Sequence, residues 1–116
     1  MSKYVCDLGE DIAAEAVAHA GYSILARNFR CRWGELDIVA CRDSEIVFVE
    51  VKTRTGSGFG QPQDAVTAGK RKRIKKAALW YVSQQQREGF TYRFDVICVS
   101  RCQGNWKWQW YKDAFV

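Results

Sequence analysis

The chain has a single histidine, His19, and its five cysteines, Cys6, Cys31, Cys41, Cys98 and Cys102, include no Cys-x-x-Cys pair. A zinc site therefore lacks its ligand spacing, and an odd set of cysteines makes a poor disulfide framework. Cys41 and Cys98 lie within apolar stretches and read as small core residues. His19, late in a helix, reads as a solvated or last-turn residue. No apolar run approaches the roughly 20 residues that span a bilayer, so no membrane partner is expected. The segment MSKYVCDLGED lacks the apolar core of a signal peptide, and the expected compartment is the cytoplasm. The glycine-rich stretch TGSGFGQPQ does not end in the Gly-Lys-Ser/Thr of a phosphate-cradling loop, which excludes nucleotide binding of that type. It reads as a loop, either a plain connector or a segment that closes over substrate.

What is present fits one domain spanning 1–116. Hydrophobic residues at 47% and charged residues at 27% are ordinary for a globular chain, and 116 residues suffice for one core and not for two. The net charge of +5 is concentrated. The run KRKRIKK, Lys70 to Lys76, holds six of the 18 basic residues; the other 12 against 13 acids leave the remainder at −1. A patch of this kind is the electrostatic footprint of a polyanion binder, nucleic acid above all.

The chain is organised around the stretch from Trp33 to Arg54, WGELDIVACRDSEIVFVEVKTR. LDIVAC and EIVFVEV are apolar and β-branched, and Arg42-Asp43-Ser44 between them supplies a tight turn. Strands this apolar belong in the middle of a sheet, where an ionised carboxylate is costly unless a cation meets it. Asp37 and Glu50 nevertheless sit in them. Side chains alternate along a strand, so Glu50 and Lys52 leave the backbone on one face. Two readings follow. In one, Glu50 and Lys52 form an ion pair and Asp37 faces solvent; in the other, two carboxylates supply hard oxygen ligands to a divalent metal beside a lysine.

An acid in the first strand of a hairpin followed by Glu-x-Lys near the end of the next resembles the restriction-endonuclease-like nuclease superfamily, whose pattern is Asp and then Asp/Glu-x-Lys. GELDIVA, VFVEVKTR and RFDVICV together resemble more closely the YraN-like family of small bacterial proteins, from about Gly9 to Phe115. The superfamily's first acid is often preceded by proline, whereas Leu36 precedes Asp37 here. The resemblance implies a metal-dependent DNA endonuclease, in which Asp37 and Glu50 hold Mg²⁺ or Mn²⁺ with the Val51 carbonyl and Lys52 positions the attacking water. It also implies Glu10 as an auxiliary ligand or water-positioning group; a favourable first-turn acid at a positive helix end is the competing account of Glu10. Glu35 shares a strand face with Asp37 and competes with it by spacing alone. The superfamily pattern favours Asp37 and leaves Glu35 as a turn or supporting residue. Branched DNA enters as a substrate by analogy with small, basic, junction-resolving members, and the oligomeric state is open, a dimer included.

The remaining elements complete an α/β order. A helix is expected from Leu8 to Ala20, stopped by Gly21, with Leu8, Ile12, Ala16 and Ala20 facing the core. A strand over Tyr22–Arg30 leads to Arg27, Arg30 and Arg32, plausible backbone contacts beside a phosphate-cutting site. A second helix is expected from Thr67 or Ala68 to Arg87, with Ile74, Ala77, Ala78, Tyr81 and Val82 as its apolar stripe. Its first turns break a local rule, because Lys70, Arg71, Lys72 and Arg73 stack cations on the positive pole of the helix. Such an opening expects an anion, which makes Lys70, Arg71 and Arg73, with Arg54, Arg30 and Arg32, candidate nucleic-acid contacts; a solvated basic face is the alternative. Asp95, in the strand RFDVICVS, is expected to pair structurally with Arg93 or a neighbouring arginine. Trp106, Trp108 and Trp110 share one face of the last strand, which reads first as core cover and second as a base-stacking row. The expected fold is a restriction-endonuclease-like core, a mixed sheet flanked by helices in the order αβββαββ. The alternative function is a non-catalytic nucleic-acid- or protein-binding module on the same scaffold.

Overall fold

The computed structural model describes residues 2–55, 66–85 and 88–115. Helix α1 spans Lys3–His19, then come strands β1 (Ser23–Cys31), β2 (Gly34–Arg42) and β3 (Glu45–Thr55), helix α2 (Ala68–Gln84), and strands β4 (Thr91–Cys102) and β5 (Asn105–Phe115). This is the expected αβββαββ order. The strands form one sheet in the order β1-β2-β3-β4-β5. The β3–β4 pair is parallel and the other three pairs are antiparallel, so the sheet is mixed. Parallel neighbours need a crossover, and α2 lies in that connection. Of the glycine-rich stretch expected as a loop, Thr55 ends β3 and residues 56–63 lie outside the described residues, as does the expected helix end at Arg87.

The sheet separates two cores, one under each helix. Ile74, Ala77, Ala78 and Tyr81 of α2 pack on Leu36, Val39, Ile46, Phe48 and Cys98, with Val82 at the margin, which is the stripe read from periodicity. On the other face Ala13, Ala14 and Val17 of α1 pack on Ile38, Ala40, Val47, Val49 and Ile97. β3 is buried on both faces through most of its length, as a central strand with continuous apolar sequence must be. Among the described residues no helix is long and apolar enough to cross a membrane.

Helix α1 departs from expectation at both its start and its face. It begins at Lys3, where the Ser2 hydroxyl caps it by accepting from the Val5 N–H. Its buried stripe is Gly9, Ala13 and Val17 with Ala14, whereas Leu8, Ile12, Ala16 and Ala20 are only partly buried. The cause is close approach: a Cβ on Gly9 would run into the Thr53 side chain, within 2.8 Å of its methyl. Small residues let the helix sit against β3, and the larger ones are displaced to the flanks.

Asp95, fully buried, has the structural role expected of it. It accepts both arms of the Arg93 guanidinium at 2.8 Å, the Trp110 indole N–H at 2.8 Å and the Asp113 backbone N–H at 2.8 Å. Arg93 also reaches Glu45 at 3.0 Å and the Tyr22 hydroxyl at 3.1 Å, which ties β3, β4, β5 and the start of β1 together. Trp106 and Trp110 pack against the α1-side core while Trp108 stays 47% exposed, so the tryptophan row is in part core cover. Asp95→Asn should lower unfolding free energy by about 3 kcal/mol, because a half-buried cation and two N–H donors lose their buried charged acceptor. Urea denaturation of the two proteins measures the difference.

Candidate active site

The site forms where β2 leaves β3. The antiparallel register runs to Ile38 opposite Val49 and stops, so the next pair in line is Asp37 and Glu50. Facing changes at the same place. Leu36 and Val39, three residues apart, both join the core under α2, and Ala26 and Phe29 of β1 do the same. Between the latter two, Asn28 adopts φ 52° and stands across from Asp37 in the register. This break in alternation on both strands frees the Asp37 side chain from either core. Asp37 Oδ2 then accepts from the Val51 N–H at 2.8 Å, doing for β3 what a ladder carbonyl would otherwise do.

Glu50 is 5% exposed, and its carboxyl is hydrogen-bonded to that of Asp37. Two carboxyls in such contact oppose each other's ionisation in a desolvated space. Burial, and then the charge of Asp37, push Glu50 up to about 8. Burial raises Asp37 as well, against the opposing pull of the Val51 N–H, the Glu50 hydrogen bond and the Lys70 charge.

The cation that meets Glu50 is Lys70, from the first turn of α2, with Nζ 2.8 Å from Oε1. Burial pulls this ammonium down, but its hydrogen bond and charge interaction with Glu50 outweigh the loss and the net direction is up. The anion expected at the basic opening of α2 is thus supplied within the protein. Thr67 caps the helix through its hydroxyl, which accepts from the Lys70 N–H at 3.2 Å and fixes the turn that aims Lys70 inward. The expected partner Lys52 leaves the backbone on the same face as Glu50; it is partly exposed and opposes Cys98 in the parallel register. Burial pushes the Cys98 thiol up, while the charges of Arg54 and Lys52 pull it back.

Glu10 lies on α1 about two turns from its start, so the account of it as a first-turn acid does not hold. Its Oε1 is buried without a hydrogen-bond partner among the described residues. Burial and then the Asp37 charge raise its pKa, so it feels the acid pair from the α1 side of the sheet. Glu35, largely exposed at the cleft that Asp37 and Glu50 line, pairs with Arg30 at 3.1 Å, which leaves Asp37 as the less exposed of the two acids. Arg27 pairs with Asp11 at 2.8 Å.

Asp37, Glu50 and Lys70 line a cleft of about 590 Å³ together with Gly34, Arg73 and the helix opening at Thr67 and Gly69. A cleft floored by hard carboxylate oxygens, with a third carboxylate oxygen buried and unpaired nearby, fits the donor chemistry of Mg²⁺ or Mn²⁺. Among the described residues no three His, Cys, Asp or Glu side chains are already gathered around one point. A cation bound there would compete with protons for the Asp37 and Glu50 carboxylates.

The model of the uncharacterised protein family UPF0102 matches residues 9–99. The chain belongs to this family. It is the YraN-like family resembled by the sequence strings, and the matched span takes in Glu10, Asp37, Glu50, Lys52 and Lys70. Relatives named UPF0102 protein include one from Syntrophus aciditrophicus, 44% identical over 93% of this chain and 85% of its own length. Another, from Geobacter metallireducens, is 50% identical over 79% of this chain and 75% of its own length. A third, from Nocardia farcinica, is 47% identical over 84% and 76%.

The raised carboxyls give the metal-free protein a pH signature. Glu50 holds a proton in the folded state up to about 8 and in the unfolded state only to about 4.5. Between those values the folded chain binds more protons, so stability falls as pH rises. The melting temperature of wild type in EDTA should therefore decline from about pH 5 to pH 8, and Glu50→Gln should flatten the decline. A thermal scan across that range checks it.

Proposed function

We propose that the protein is a metal-dependent endodeoxyribonuclease that hydrolyses phosphodiester bonds. The observation that carries this reading is the adjacency of two carboxyls, part-buried Asp37 and buried Glu50, on the floor of a cleft whose rim is the basic opening of α2. A structural ion pair would not need two acids in one desolvated place. Mg²⁺ or Mn²⁺ held by Asp37 and Glu50, with the Val51 carbonyl, would lower the pKa of a bound water and offset charge on the phosphate.

The chain's own residues do the rest. Glu10 offers its unpaired Oε1 to the attacking water and orients it. Lys52, on the Glu50 face of β3, neutralises the scissile phosphate as charge develops. Lys70 stands in as the cation while the acids are unloaded, and once released from Glu50 its ammonium turns to the DNA backbone. Arg71 supports that contact, with its Nε buried and without a partner among the described residues. Arg73 and Arg54 extend the basic rim, and Arg30 and Arg32 at the β1–β2 turn complete the DNA contacts. Five free thiols accord with a cytoplasmic enzyme.

One observation favours the second reading, a nucleic-acid-binding module without catalysis: Lys70 already gives Glu50 a cation. Labelled duplex, single-stranded and four-way-junction DNA in Mn²⁺ separates the two. Wild type should nick at least one substrate, and Asp37→Asn and Lys52→Ala should each lower the rate by about a hundredfold or more while remaining folded. Unchanged rates in both variants, or equal DNA shifts with no cutting by any protein, would remove the nuclease assignment.

A further inference from the structure

The turn between β1 and β2 carries a second feature that the acid cluster does not use. Trp33 is 39% exposed there, with the Arg32 guanidinium 4.7 Å from its ring centroid and the Lys76 ammonium 5.6 Å from it. Gly34, at φ 154°, lets α2 come close: a Cβ there would stand 3.3 Å from the Arg73 Cβ and from its carbonyl oxygen. One turn beyond Lys76, Trp80 and Leu79 are exposed at 42% and 72%. Trp33, Lys76, Leu79, Trp80 and Ser83 line an open cleft of about 390 Å³.

Helix α2 runs from one cleft to the other: Lys70 and Arg73 line the cleft of the acid cluster, and Lys76 and Trp80 line this one. Lys70, Arg73, Lys76 and Trp80 follow one another along α2 at steps of three and four, so they run along one side of the helix. From Lys70 to Trp80 the axial rise is about 15 Å, which corresponds to about four nucleotides at a stacked spacing of roughly 3.4 Å. Two aromatic rings at the far end of a cationic track, with the acid pair at the near end, suit a strand whose bases are unpaired. Bases in an intact duplex are stacked on each other and have no free face for an indole. The lysine and arginine groups around the rings also oppose burial of this face against a second copy of the same chain, since like charges would meet.

From this juxtaposition we infer that the Trp33–Trp80 cleft is a stacking site for an unpaired base of single-stranded DNA, a few nucleotides from the bond presented to the acid pair. The inference rests on the proposed nuclease site for its meaning in catalysis, and on the aromatic and basic geometry alone for binding. Lys76 covers the Trp33 ring in the free protein; on binding, the base takes the ring face and the ammonium moves to the adjoining phosphate.

Anisotropy of a fluorescein-labelled oligothymidine and of a blunt duplex of equal length, both in EDTA, tests the cleft apart from cutting. Wild type should prefer the single strand, and Trp33→Ala should weaken that binding about tenfold while leaving the duplex unchanged. Trp33→Phe should restore most of the loss, and Trp108→Ala, on the other face of the sheet, should change neither. Circular dichroism melting establishes that each variant is folded. Equal affinity of wild type for both DNAs, equal weakening of both by Trp33→Ala, or no weakening at all overturns the inference. So does a dimer that Trp33→Ala dissociates without loss of oligothymidine binding. A single-strand preference that needs Trp33, found with a protein that cuts nothing, would remove the nuclease reading and leave the cleft. Cutting without that preference would do the reverse.

Discussion

Two carboxylates that share one desolvated space are what the architecture around them has to accommodate. Moving a lone carboxylate out of water is costly, and a second one beside it makes the cost larger. The protein meets this with one backbone N–H from Val51, one ammonium from Lys70 and one proton kept on Glu50 up to about 8. Each of those comes from a different piece of the fold. Val51 is in the central strand, Lys70 opens the helix that connects the parallel strands, and the two acids stand where the β2–β3 ladder ends. Well-packed apolar residues at these positions would be cheaper to bury, so the arrangement is most simply understood as stability yielded to chemistry.

The separation of β2 from β3 is therefore as important as the acids. A regular hairpin would have continued its ladder through Asp37 and Glu50 and sent alternate side chains into opposite cores. Asn28, in the left-handed region on the neighbouring strand, accompanies the change of facing that lets Leu36 and Phe29 pack under α2 while Asp37 turns to the strand end. Gly9 acts in a similar way on the other side of the sheet. By admitting α1 close to Thr53 it brings Glu10, the next residue, toward Asp37.

Much of this could be read from residues, and the parts that could not share a cause. The α2 stripe was legible because Ile74 and Tyr81 are large and their spacing is unambiguous. The α1 stripe was not, because glycine and alanine carry little hydropathy signal and the larger Leu8 and Ile12 dominate the pattern. Asp37, Glu50 and the pairing of Asp95 with Arg93 were visible as charges where apolar strands should be neutral. Lys70 reads as a cation awaiting an anion, but alternation along β3 offers Lys52 as the neighbour of Glu50. Only the docking of a helix some 20 residues away in sequence decides which lysine arrives, and local spacing does not encode that. The aromatic cleft was missed for the same reason. Trp33 and Trp80 lie on different elements and have no sequence relation.

The account turns on the acid pair being a cation site that is closed by a proton in the free protein. Calorimetric titration of Mn²⁺ into the EDTA-stripped chain near neutral pH, repeated in two buffers of different ionisation heat, measures both the ion and the proton. The account predicts saturable binding of a single ion with net proton release, and loss of both in Asp37→Asn. No binding, or binding with no proton release that persists in Asp37→Asn, would contradict it.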